Sequence, residues 1–139
     1  MKTDNWPYKW FGIWKEMGPG YNSCPSVYDW IDPEEVASYG DDLPRIKNYL
    51  RKATIIVTTS AMAFPNIISG KSKREDSVSY QTDGTWVWFD DLAEYVELNN
   101  VALPRNFYTH MKKHSFIPPD ASNVNPDDLD WPSSIKSIG

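Results

Sequence analysis

Cysteine is almost missing from this 139-residue chain: Cys24 stands alone, so no intramolecular disulfide can form. That matches a reducing compartment. Long apolar runs are missing too. Stretches such as Ile55–Val57 and Ala61–Phe64 are far too short to cross a bilayer. Met1–Pro7 contains no apolar signal core. These absences predict a soluble, cytoplasmic protein with no membrane partner. Bases are in deficit, with Lys+Arg 14 against Asp+Glu 19 and a net charge of -5. They form no single stripe. Arg45, Lys47, Arg51 and Lys52 fall on one predicted helix, and Lys71, Lys73 and Arg74 in one loop. A negative surface repels phosphate backbones, so nucleic acid is disfavoured as a partner and a basic protein is favoured.

Chemical motifs are equally scarce. Gly18-Pro19-Gly20 and Gly70-Lys71-Ser72 lack the glycine spacing of a phosphate loop. His110 and His114 share a helix face but have no intervening Glu to complete the helical zinc pattern. Cys24 precedes Pro25-Ser26 without a nucleophile signature, and a small buried core group is the plainer reading. No catalytic residue, metal or cofactor is expected, and the chain is not read as an enzyme. A composite site drawing on Cys24, His110 and His114 stands as the enzymatic alternative.

Aromatics are plentiful: Trp 7, Tyr 8 and Phe 5. Most should pack internally; the functional alternative is that several tryptophans anchor a partner. A third possibility is a small-ligand module built on an aromatic cleft.

Patterning predicts an α+β domain over residues 1–119 and an acidic tail over 120–139, docked through Val124, Leu129 and Trp131. Residues 6–14 fit either a strand or a helical turn. Pro25 and Ser26 open a short helix with Val27, Trp30 and Ile31 inward. Asp41 or Asp42 caps the next helix, whose apolar stripe is Leu43, Ile46, Leu50 and Ala53, supported by Tyr49. Thr54–Ser60, rich in β-branched residues, reads as a buried strand, and Asn66–Ser69 as a short one. Ser77–Thr82 and Thr85–Phe89 read as a hairpin closed by a type I′ turn at Asp83-Gly84, with Trp86 and Trp88 on one face and Val87 and Phe89 on the other. Asp90 caps a helix carrying Leu92, Tyr95, Val96 and Asn99. Pro104 opens another, with Phe107, Tyr108 and Met111 inward, which Pro118-Pro119 ends.

Two clusters of acids stand apart from bases. Asp29, Asp32, Glu34, Glu35, Asp41 and Asp42 form one; Asp127, Asp128 and Asp130, followed by Trp131, form the other. Helix N-termini account for part of the first cluster. The remainder is the candidate surface for a basic partner.

The run Thr82-Asp-Gly-Thr-Trp86-Val-Trp88-Phe-Asp-Asp-Leu92-Ala-Glu-Tyr95-Val96, then Leu103-Pro104 and Phe107, resembles a group of small bacterial proteins. Their pattern is Ser-Asp-Gly-x-Trp-x-Trp-Pro-x-Asp-Leu-x-x-Tyr-Val followed by Leu-Pro and an aromatic. Pro25–Ile31 and Tyr49-Leu50 resemble segments preceding it, so the likeness runs from residue 25 to residue 119. Thr82 replaces serine and Phe89 replaces proline. Members resemble immunity proteins of polymorphic or contact-dependent toxin systems. The resemblance implies an antitoxin that binds and blocks a cognate toxin domain, often a nuclease. It supplies no catalytic residue. Asp83, Gly84, Trp86, Leu92, Tyr95 and Val96 look structural within it.

Overall fold

Four residues in alternation, Trp86 to Phe89, divide the interior in two. Successive strand side chains point to opposite faces. Trp86 and Trp88 join one buried cluster with Tyr49, Leu50, Leu92, Tyr95 and Phe107, while Val87 and Phe89 join another with Trp10, Ile13, Cys24 and Tyr80. A computed structural model describes residues 6–59, 66–70 and 78–133. The fold is α+β. Strands β1 (Thr54–Thr59), β2 (Val78–Thr82) and β3 (Val87–Phe89) form an antiparallel sheet in the order β1-β2-β3. The α-helices are α1 (Pro33–Ser38), α2 (Asp42–Lys52), α3 (Leu92–Asn99) and α4 (Arg105–Lys113).

Residues 9–11 resolve the ambiguity of the aromatic N-terminal stretch. They run parallel to β3 along its outer edge. Phe11 N–H donates to the Val87 carbonyl at 2.9 Å, and Val87 N–H donates to that of Lys9 at 3.0 Å. This strap covers an edge that would otherwise expose unpaired backbone groups. Lys9 N–H also donates to the Asp130 carboxylate at 2.8 Å. The segment after Pro119 is held as well. Ala121 N–H donates to Thr54 Oγ1 at 3.0 Å, Leu129 packs against the second cluster, and Trp131 meets Tyr80 edge-on with centroids 5.0 Å apart.

Helix α2 buries Ile46, Tyr49 and Leu50, as its stripe predicts. The last carbonyls of a helix lack partners within it. Here the sheet supplies them. Trp88 Nε1 donates to the Leu50 carbonyl at 3.1 Å, and Gln81 Nε2 to those of Arg51 at 3.2 Å and Ala53 at 2.9 Å.

Several local expectations are overturned. The hairpin turn is not type I′: Thr82 pairs with Val87, leaving residues 83–86 as the loop, and only Gly84 in that loop has positive φ, at 94°. Side chains hold the loop instead. Asp83 Oδ1 accepts from Thr85 N–H and Trp86 N–H at 2.9 and 2.7 Å, and Thr82 Oγ1 donates to the Trp86 carbonyl at 2.7 Å. Strand β1 is an edge strand rather than a central one: among the described residues it pairs with β2 alone, and Ile55 is 59% exposed. Asn66–Ser69 is a turn, closed by Asn66 Oδ1 accepting from Ile68 and Ser69 N–H at 2.9 Å each. Asp90 does not cap α3. It exchanges bonds with Ser79 as an extension of the ladder, and Asp91 takes the cap position. Helix α4 stops at Lys113, before the prolines, because Ser115 and Phe116 turn left-handed and Phe116 N–H closes onto the Met111 carbonyl at 2.9 Å. Residues 60–65, 71–77 and 134–139 lie outside the described residues, including parts of the predicted first strand, the Gly70–Asp76 loop and the tail.

Candidate functional site

The first acidic cluster lies on a 3-10 turn, Val27–Trp30, and on α1 and the start of α2. Ser26 caps the 3-10 turn, its Oγ accepting from Tyr28 N–H at 3.3 Å. Three residues per turn put positions three apart on one side. Val27 and Trp30 therefore face inward together, and Tyr28 and Ile31 face outward, 54% and 37% exposed. Ile31, which the sequence pattern places inward, is instead turned out by the tighter period of the 3-10 turn. Its backbone stays tied, with Asp32 N–H donating to the Asn100 carbonyl and Ala102 N–H to that of Trp30, both at 2.8 Å.

Asp32, Glu35 and Asp42 of the first cluster are engaged within the fold. Asp32 caps α1 by accepting from Glu35 N–H at 3.1 Å. Glu35 receives a forked pair from Arg105 at 3.2 and 3.3 Å. Asp42 accepts from the Tyr108 hydroxyl at 2.6 Å and lies 3.6 Å from Arg45. Asp29, Glu34 and Asp41 are exposed. In the second cluster Asp130 is taken by Lys9, while Asp127 and Asp128 are exposed on a 3-10 turn.

The tryptophans are mostly interior. Of the 7, Trp10, Trp14, Trp30, Trp86 and Trp88 are buried. Trp6 is half-buried against Trp30, and half-buried Trp131 donates its Nε1–H to the Pro126 carbonyl at 2.7 Å. Five indoles are thereby taken up by ring packing in two clusters, and Trp6 and Trp131 keep part of their surface open. Among the described residues the exposed aromatics are tyrosines, Tyr28 and Tyr8.

A polar group missed from sequence lies under the hairpin turn. Asp83 is buried, and its Oδ2 accepts from the Tyr49 hydroxyl at 2.5 Å. His110 Nε2 lies 3.2 Å from the same oxygen but out of line for a hydrogen bond. Burial holds His110 below the ordinary histidine pKa of 6.5, against the opposing pull of Asp83; His114 and Lys9 push the same way as burial. Burial and the Asp83 carboxylate push Tyr49 upward, so it keeps its proton. The rings of His110 and His114 are 4.6 Å apart, confirming their shared face. The Asp-Gly pair signalled the turn; nothing local signalled that Tyr49, from α2, would meet it.

Cys24 is buried in the second cluster, whereas both histidines sit with the hairpin turn, so the three residues considered for a composite site do not form one group. Among the described residues no three His, Cys, Asp or Glu side chains are placed to hold a metal ion. Among them, too, no helix is long and apolar enough to cross a membrane. No family model, curated protein or solved structure significantly matches this chain.

Proposed function

We propose that this protein neutralises a basic toxin domain by covering it, as do the immunity proteins its hairpin–helix motif resembles. One observation carries the reading: Tyr28 and Ile31 stand exposed in the same stretch of chain as the exposed acids Asp29 and Glu34, with Asp41 also exposed. An apolar anchor within a charged rim is the usual anatomy of a protein interface. The net charge of -5 adds long-range attraction for a basic partner. Neutralisation by coverage requires no catalytic residue in this chain.

The test uses the protein encoded beside this one, if basic and toxic to the host cell. Co-expression should restore growth, and the purified pair should bind with an association rate that falls as salt rises. Tyr28→Ala combined with Glu34→Lys should weaken binding at least 100-fold while leaving the circular dichroism spectrum unchanged. Unaltered affinity in that folded variant, or no complex at low salt, would sink the proposal.

A further inference from the structure

Two histidines and a buried carboxylate converge beneath the hairpin loop. His110 and His114 are four residues apart at the end of α4. His114 N–H still donates to the His110 carbonyl at 3.3 Å, so helical spacing holds between them. Their ring centres are 4.6 Å apart and the ring planes cross at 67°. Lys112, which lies between them in sequence, is turned to the Tyr108 ring, its Nζ 4.6 Å from the ring centre. Both histidines are half-buried, so an ion in solution can reach them.

One ring nitrogen is left over. His110 Nε2 is buried and finds no hydrogen-bond partner among the described residues; it lies 3.2 Å from Asp83 Oδ2 but out of line. The carboxylate is fixed, because Thr85 N–H, Trp86 N–H and the Tyr49 hydroxyl all donate to it. A carboxylate oxygen has a lone pair to spare for a second donor beside Tyr49. An imidazole with one nitrogen facing a fixed carboxylate has the other nitrogen free to act as a ligand. Metal-binding histidines are held in this way, the carboxylate setting both tautomer and ring orientation.

We propose that His110 and His114 form a two-point site for a divalent transition-metal ion of the zinc class, with Asp83 as the positioning carboxylate behind His110. His110 binds through Nδ1 and swings its Nε2–H into line with Asp83 Oδ2. Nitrogens that share a zinc ion at about 2.0–2.1 Å stand roughly 3.3 Å apart. Rings with centres 4.6 Å apart meet that span by small side-chain rotations. Imidazole pairs suit zinc, copper and nickel, whereas magnesium and calcium prefer oxygen. Water completes the coordination, since among the described residues no third His, Cys, Asp or Glu is placed to join the pair. Two protein ligands make a weaker and more exchangeable site than the four of a structural zinc. The site is independent of any partner the protein covers.

Titration calorimetry of the full chain with Zn²⁺ at pH 7.5 should show one ion bound per chain, and Mg²⁺ under the same conditions should show none. His114→Gln should weaken Zn²⁺ binding at least tenfold while the circular dichroism spectrum is unchanged. His110→Gln should do the same, and it stands in if the first variant does not fold. Long-range proton–nitrogen spectra of the imidazoles read the orientation: with Zn²⁺ present, His110 should carry the ion on Nδ1 and keep its proton on Nε2. Absence of saturable Zn²⁺ binding, or equal binding of Mg²⁺, overturns the site. So does a loss of less than tenfold in a folded histidine variant, which places the ion elsewhere. An ion on His110 Nε2 overturns the role given to Asp83.

Discussion

Replacing Asp83 by Ala leaves three donors without their acceptor: two backbone N–H groups of the hairpin loop and the buried Tyr49 hydroxyl. Bonds to an ionised, buried acceptor are each worth more than neutral ones, so Asp83→Ala should cost about 3 kcal/mol or more. Tyr49→Phe removes one donor and leaves the other two in place. It should cost about 1–2 kcal/mol. Urea midpoints of the two variants, taken with unchanged m-values, check both figures and their order. Asp83 shows how a single residue can be half legible. Its place in a turn follows from the Asp-Gly pair. Its use of the carboxylate to build a longer loop follows from Tyr49 and His110, which arrive from distant segments.

At the level of elements, satisfaction of the α2 C-terminus outweighs the exposed ion pairs that join α2 to α3. Gln81→Leu would leave the carbonyls of Arg51 and Ala53 without their side-chain donor in a buried site. The expected loss is about 1–3 kcal/mol. Glu97 receives Lys47 and Arg51 at 2.5 and 3.2 Å, which hold its carboxyl below the usual range, but it is exposed to solvent. Glu97→Gln should cost about 0.5 kcal/mol or less. Chemical denaturation ranks the two, and a larger effect of the Glu97 variant would invert the argument. Elements were legible in proportion to how local their cause is. Helices α2 and α4 follow from an apolar stripe, and the opposite faces of Trp86 and Val87 from alternation. The exposure of Ile55 on β1 does not, because Thr-Ile-Ile-Val-Thr-Thr has the same pattern at an edge as at a centre. The cap of α3 was misplaced by one residue because Ser79, on β2, draws Asp90 into the ladder. Position in the sheet is a property of the partners, not of the segment.

For the molecule as a whole, buried phenols set an alkaline limit. Burial is the leading cause that raises the pKa of Tyr39, Tyr49, Tyr80, Tyr95 and Tyr108, the last to about 12, from an ordinary value of 10.0. A raised folded-state pKa means the folded chain keeps protons that the unfolded chain gives up. The associated stability is whole below pH 10 and is lost as pH climbs beyond it. Phenolate absorbance near 295 nm should rise in step with loss of ellipticity rather than ahead of it. His110 acts in the opposite direction: with its pKa lowered from 6.5, stability declines as pH falls through that value toward the folded-state one. The candidate site was partly legible at this scale. Acid clustering marked Asp29 to Asp42, yet the sequence could not tell which carboxylates the fold keeps for itself. Asp32, Glu35 and Asp42 are engaged internally through Glu35 N–H, Arg105 and Tyr108.

Both faces of β3 are roofed, one by the cluster around Trp88 and the other by the cluster around Phe89. Tyr28, Ile31 and Glu34 lie outside that roofing, exposed while their neighbours Val27 and Trp30 anchor the backbone. Changes at the outward positions need not disturb the anchors. Substitutions there alter the chemistry of the surface and leave the scaffold beneath intact.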